Sequence, residues 1–147
     1  MKIEDAIKSK FKNNSHKVLV NIRYTSNFLS QRQNIFMKEF DLTMPQFNIL
    51  RILRGAKEAL AVNIVKERMV EKSPNTTRLM DKLIDKGLID RTRCADDRRV
   101  VFVEISEKGL EVLSHIDKKF DDDDIFNTNL TEKEASTLSD LLDKLRG

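Results

Sequence analysis

Residues 73–105 read SPNTTRLMDKLIDKGLIDRTRCADDRRVVFVEI, and a change of period inside this stretch decides the fold. Ser73-Pro74 reads as a helix start: a hydroxyl able to accept from free N–H groups, then a proline whose missing N–H is harmless in the first turn. Leu79, Met80, Leu83 and Ile84 follow at steps of three and four, which gives that helix one apolar face. Lys86-Gly87 ends it. From Leu88-Ile89 the pattern turns extended and runs toward Arg93, and residues 100–105 are β-branched and aromatic enough to form the antiparallel partner. Between them Cys94-Ala95-Asp96-Asp97-Arg98 makes a polar hairpin tip.

Upstream, residues 62–69 predict a short helix with Val65 and Met69 on one side. Thr43-x-x-Gln46 is a capping box with Pro45 in the first turn. It opens a helix carrying Phe47, Ile49, Leu50, Ile52 and Leu53, with Gly55 as the expected stop. From Ile3 to Phe40 there is no proline or glycine, and Val18, Ile22, Leu29, Phe36 and Phe40 form one apolar stripe of a long helix. Asn13-Asn14-Ser15 separates a short leading helix from it. Downstream, Ser106 caps a helix whose buried stripe is Leu110, Leu113, Ile116 and Phe120. Thr131-x-x-Glu134 opens a last helix bearing Leu138, Leu141, Leu142 and Leu145.

Three helices and a two-stranded hairpin define a winged helix-turn-helix, so the fold class is mainly α with a small β-hairpin wing. Residues 1–147 read as a single domain, with a winged helix-turn-helix lobe at 41–106 and dimerisation helices at 1–40 and 107–147. The leucine-rich last helix has little to bury itself against within one chain. In this architecture the second helix of the turn enters the major groove and the hairpin reaches the neighbouring backbone or minor groove. The residue types fit. Asn75 is suited to adenine, Arg78 to guanine and Lys82 to phosphate. The face opposite Leu79 and Leu83 presents Pro74, Arg78, Asp81 and Asp85, the two acids lying where the helix leaves the groove. On the wing, Asp97-Arg98-Arg99 puts long cations on a thin projection that can enter a narrow minor groove, with a carboxylate beside them to fix a guanidinium. An ordinary charged hairpin tip has the same composition; the helix-turn-helix ahead of it favours the DNA reading.

Charge distribution supports the same orientation. Residues 1–60 hold eleven basic and five acidic side chains, residues 61–103 ten and seven, and residues 104–147 six and twelve. The basic part contains the elements read as touching DNA, and the acidic end would be repelled by phosphate. With 39% hydrophobic and 35% charged residues, the chain has the balance of a helical protein whose core needs neither metal nor disulfide. No run approaches the ~18 apolar residues of a membrane span, and the N-terminus lacks a signal peptide's apolar run, so a cytoplasmic location is expected. The one cysteine, Cys94, fits a reducing compartment and reads as an ordinary thiol rather than a redox sensor. His16 and His115 are the only histidines, and glycine-rich phosphate loops and G-x-S-x-G elbows are missing. No catalytic residue, metal or cofactor is expected. The acidic run 121–124 lacks an EF-hand's alternation and glycine and reads as a solvated helix end. The competing functional reading is a winged-helix protein-interaction module without specific DNA binding; Arg78, Lys82, Arg98 and Arg99 weigh against it.

The order and spacing of these pieces resemble the MarR family of bacterial transcription regulators over nearly the whole chain, most closely at residues 42–109. Leu42-Thr43-x-x-Gln46-Phe47-x-x-Leu50 looks like the family's opening of its second helix. Thr77-Arg78-Leu79-Met80-Asp81-Lys82-Leu83-x-x-Lys86-Gly87-Leu88-Ile89-x-Arg91 looks like its recognition helix running into the wing. Asp97-Arg98-Arg99 followed by Ile105-Ser106-Glu107-Lys108-Gly109 is similar to its wing and the start of its fifth helix. The resemblance implies a homodimer with interleaved terminal helices, bound to a pseudo-palindromic double-stranded operator and commonly acting as a repressor. It implies that Arg99 enters the minor groove with Asp97 as its orienting partner, within a DNA-binding set of Ser73, Pro74, Asn75, Thr77, Arg78, Lys82, Asp97, Arg98 and Arg99. It also implies release by a small aromatic ligand, for which Phe28, Phe36, Met37, Phe40, Met44 and Phe47 are the candidate lining; simple core is the alternative for such a stripe. Two positions depart from the family pattern. Val70 stands where the turn usually carries glycine, and Thr76 where an apolar core residue is usual.

Overall fold

Thr43 and Gln46 close the predicted capping box: the Gln46 backbone N–H donates to Thr43 Oγ1 at 3.3 Å, and the Thr43 N–H to Gln46 Oε1 at 3.0 Å. The helix they open, α3 (Met44–Ala56), buries Phe47, Ile49, Leu50 and Leu53 and forms the centre of the core. The computed structural model describes residues 1–123 and 128–147, which fall into two compact units, Met1–Leu110 and Glu111–Gly147.

In the first unit α3 is preceded by α1 (Ile3–Ile7) and α2 (Asn14–Lys38), and followed by β1 (Leu60–Ala61), α4 (Val62–Arg68), α5 (Thr76–Asp85), β2 (Ile89–Arg93) and β3 (Val101–Ile105). Helix α2 starts as expected, with Asn13 accepting the His16 N–H at 2.8 Å. Its predicted apolar stripe is covered unevenly: Phe36 is buried, Ile22 and Phe40 are half-buried, and Val18 and Leu29 are exposed. The sheet has three strands in the order β1-β3-β2, all antiparallel, rather than the two expected. β1 is two residues long, with Leu60 opposite Val103, and is too short to show an alternating pattern.

Gly55 does not stop α3. The helix runs through it and turns at Lys57, which takes up a left-handed conformation at φ 56°. The start of α5 also differs. Ser73 Oγ accepts from the Asn75 N–H at 3.2 Å, so Pro74 and Asn75 form a turn and the helix begins only at Thr76. Such local side-chain-to-backbone bonds compete directly with helix propagation. Thr76 is nevertheless compatible with the core, because its hydroxyl donates to the Ser73 carbonyl at 3.0 Å. Val70 is 85% exposed and lies outside the left-handed region, so this turn closes without the freedom of a glycine.

Helix α6 (Glu107–Asp123) runs on from the first unit into the second, which also contains α7 (Glu132–Arg146). Leu113 and Ile116 are buried as expected, but Leu110 is 41% exposed. The Thr131–Glu134 capping box forms, with Thr131 Oγ1 accepting the Glu134 N–H at 3.3 Å. No side chain of α7 is buried, and Leu138, Leu141 and Leu145 face solvent. Of the acidic run, Asp121, Asp122 and Asp123 are exposed at the end of α6, and Asp124 lies outside the described residues.

Ser106 caps α6 by accepting the Gly109 N–H at 3.1 Å. Gly109 itself is required: a Cβ there would meet the Leu88 carbonyl oxygen at 2.3 Å and Ile105 Cγ1 at 2.7 Å. Gly109→Ala is therefore expected to destabilise the protein by about 1–3 kcal/mol, the usual cost of overpacking. A urea denaturation midpoint unchanged from the wild type would show that this junction yields freely.

Candidate nucleic-acid interface

Thr76, Met80 and Leu83 bury one face of α5, and helical spacing then turns Thr77, Arg78 and Lys82 outward. All three are exposed, as are Pro74 and Asn75 in the turn ahead of them; Ser73 is half-buried. Arg78 and Lys82 make no ion pair with any described residue, which leaves both cations available to a partner. Asp81 does not simply mark the end of this face. Its Oδ1 lies 3.6 Å from Arg91 Nη1, which ties α5 to strand β2.

The wing tip spans residues 94–100. Cys94, half-buried, donates its N–H to the Val100 carbonyl at 2.9 Å, one bond beyond the paired strands, and the Val100 N–H donates to the Asp97 carbonyl at 3.0 Å. Asp97 acts at two levels. Its Oδ1 accepts the Arg99 backbone N–H at 3.0 Å, folding the turn. The same carboxylate takes both sides of the Arg99 guanidinium, Nε to Oδ1 at 3.1 Å and Nη2 to Oδ2 at 3.2 Å. The Arg99 side chain is 91% exposed while held in this fork, and Arg98 is exposed beside it. A two-point fork fixes the plane of the guanidinium as well as its position.

Sequence reasoning placed these wing residues but overlooked two others. Arg91 and Arg93 lie two apart on β2 and so share one face of the strand. Arg91 holds Asp81, and Arg93 Nη1 donates to the Arg98 carbonyl at 3.1 Å. The period-2 spacing of the two arginines was the available signal.

The candidate ligand lining separates into three environments. Phe36, Met37 and Phe47 are core residues, Phe40 and Met44 are half-buried, and Phe28 is 53% exposed with the Arg32 guanidinium carbon 5.9 Å from its ring centre. Phe36 and Phe40 pack with their rings tilted at 50° and their centres 5.4 Å apart. A cavity of about 240 Å³ lies elsewhere, between α5 and the wing, lined by Val62, Thr77, Met80, Arg91 and Val101 among others; none of the six aromatic and methionine candidates reaches it.

A helix offering unpaired cations beside an arginine-tipped hairpin defines the winged helix-turn-helix class of DNA-binding proteins. The family model "Transcriptional regulator SarA/Rot" matches residues 31–116. The regulator SarZ of Staphylococcus saprophyticus is 32% identical over 98 residues, covering 65% of this chain and 66% of that protein. The multiple antibiotic resistance protein MarR of Salmonella typhimurium is 30% identical over 114 residues, covering 76% and 78%. The chain spans only half the length of another relative, the Bacillus subtilis regulator YfiV. The fold is shared with a MarR from Escherichia coli solved with operator DNA, at a TM-score of 0.79 and 24% identity over 93% of this chain and 99% of that one. A MarR-like regulator from Bacillus cereus has the same TM-score at 21% identity, covering 90% and 96%. This chain belongs to the MarR family of winged-helix transcription regulators.

The Arg99 guanidinium and backbone N–H hold the Asp97 carboxyl below its ordinary range. A lowered pKa means that the fork is complete above the ordinary carboxylate range and is lost as the pH falls through the depressed midpoint. Followed by NMR at its carboxyl carbon, Asp97 should protonate below an ordinary aspartate in the wild type and move up toward it in Arg99→Ala. A midpoint indifferent to that substitution would remove Arg99 as the cause.

Proposed function

We propose that this protein binds a pseudo-palindromic DNA operator as a homodimer, and that it acts as a repressor released by a small ligand. The observation that carries the reading is the Asp97–Arg99 fork, a guanidinium fixed in direction yet almost fully exposed at the tip of the wing. In this reading Arg99 enters the minor groove, where a narrow A·T-rich tract concentrates negative potential. The exposed face of α5 lies in the major groove, with Asn75 and Arg78 on base edges and Thr77 and Lys82 on phosphates. Ser73 and Pro74 set the turn that brings it there, and Arg98 adds a backbone contact.

The homodimer is supported by apolar surface that each unit leaves uncovered. In the first unit this is Val18, Leu19, Phe28 and Ile35 of α2; in the second it is Leu138, Leu141 and Leu145 of α7. Leu138, Leu141 and Leu145 recur along one face of α7, and Val18 and Leu29 along one face of α2; apolar side chains aligned at this exposure are more than scattered surface residues. A small aromatic effector, seated near Phe40 and Met44 where α2 turns into α3, would shift the spacing of the two recognition helices only by binding the released spacing better.

The test is fluorescence anisotropy of labelled DNA from upstream of the protein's own gene, against a scrambled duplex of equal length, at several salt concentrations. Tighter binding to the upstream duplex, falling steeply with salt, is the expected result. Arg78→Ala should cost about 1–3 kcal/mol on the preferred duplex and narrow its advantage over the scrambled one. Arg99→Ala should weaken binding with the dimer intact in sedimentation. Absence of binding to either duplex at low salt would favour a winged-helix protein-interaction module.

A further inference from the structure

We propose that Arg93 is a positioning residue for the wing: it acts on DNA through Arg99, by clamping the peptide group that carries it. This rests on the wing reading above and adds to it a residue outside the predicted DNA-binding set.

The argument turns on one peptide plane. The Arg98 carbonyl and the Arg99 N–H belong to the same rigid, planar unit. Asp97 Oδ1 accepts from its N–H side at 3.0 Å, and Arg93 Nη1 donates to its carbonyl side at 3.1 Å. Held at both edges, the plane is restrained against rotation about its flanking bonds, and its orientation sets the direction in which the Arg99 side chain leaves the backbone. The tip's two backbone bonds leave this plane free, since they join Cys94 to Val100 and Val100 to Asp97. Without Arg93 the carbonyl edge is released and the plane is restrained on one side only. The Arg99 fork then rests on a turn that can pivot, and the ordering of the wing has to be supplied during binding.

Arg93 spends its donor across the tip, from the end of β2 to the opposite limb. A cation used in this way differs measurably from one that neutralises a phosphate. Phosphate contacts release counterions and set the slope of affinity against salt, while a positioning group leaves that slope alone.

The experiment uses the full-length protein and a duplex it selects from a random library, with Arg93→Ala, Arg99→Ala and the double variant. Arg93→Ala is expected to weaken binding about threefold to tenfold, in keeping with one hydrogen bond. The salt slope should stay at the wild-type value, and the loss should vanish in the Arg99→Ala background. In the free protein, the heteronuclear NOE of the Arg99 Nε–H should fall in Arg93→Ala, a change that loss of a phosphate contact would not cause. A slope shallower by about 0.9, with the loss persisting without Arg99, would overturn the proposal and make Arg93 a phosphate contact. Unchanged affinity in Arg93→Ala, with Arg99→Ala still impaired, would overturn the clamp alone. Unchanged affinity in Arg99→Ala would instead bring down the wing reading beneath it.

Discussion

The carbonyl oxygen of Leu88 lies so near the backbone of residue 109 that a Cβ there would sit 2.3 Å from it. The start of α6 reaches the start of β2 only because residue 109 carries no side chain. Around that contact, three consecutive carbonyls just past the end of α5 find donors in the segment that follows β3. Lys108 Nζ donates to Lys86 O at 2.9 Å, Ser106 Oγ to Gly87 O at 2.6 Å, and the Ser106 N–H to Leu88 O at 3.0 Å. The last turn of α5 is closed by its own exit, with the Gly87 N–H donating to Ile84 O and the Leu88 N–H to Leu83 O, so these donors to residues 86–88 fix the path of the chain as it leaves the helix. The strands follow at once, with Ile89 opposite Ile105, and a pairing anchored at its first rung admits no slip in register. From this junction the wing projects.

Helix α5 is thus held along its length. Its end is set by the junction and by Lys86, whose ammonium lies 3.3 Å from Asp41 Oδ2 at the corner between α2 and α3. Its middle is joined to the wing strand by Asp81 and Arg91, and its start is shaped by Ser73 and Thr76. The two ion pairs among these contacts add little stability at the surface. What they set is direction. A helix and a hairpin that already share a fixed geometry lose less freedom when they meet a duplex, so more of the contact energy appears as affinity.

Much of this was legible in the sequence because its determinants are local. Thr43 with Gln46, and Thr131 with Glu134, announce helix starts within four residues, and both boxes form. The hairpin followed from a change of period, and the Asp97–Arg99 pairing needs only two residues of separation. The errors share a cause: one local signal had two local outcomes. Ser73 could cap a helix or fold a turn, and the Asn75 N–H drew it to the turn. Gly55 could end a helix or continue it, and Lys57 supplied the left-handed residue instead. What the sequence concealed was long-range. The two residues of β1 are a strand only because Val103 stands opposite Leu60. The clamp from Arg93 to Arg98 has no pattern until the hairpin exists to bring them together.

If α5 and the wing face DNA as proposed, carboxylates on that surface look like a liability, and their placement explains why they are not. Asp81 and Asp97 each face an arginine in direct contact, so each pair is close to neutral at a distance while rigid nearby. Long-range attraction then falls mainly to cations without such partners, Arg78 and Lys82 among them. Attraction of that kind is blind to sequence and raises binding to every duplex alike. In the proposed DNA complex, pairing the wing arginine lowers that indiscriminate part, while the fork keeps the guanidinium aimed at a groove narrow enough to receive it. Discrimination depends on the ratio of specific to non-specific affinity rather than on either alone. On the proposed reading, a wing arginine answered by its own aspartate therefore favours selectivity over sheer binding strength.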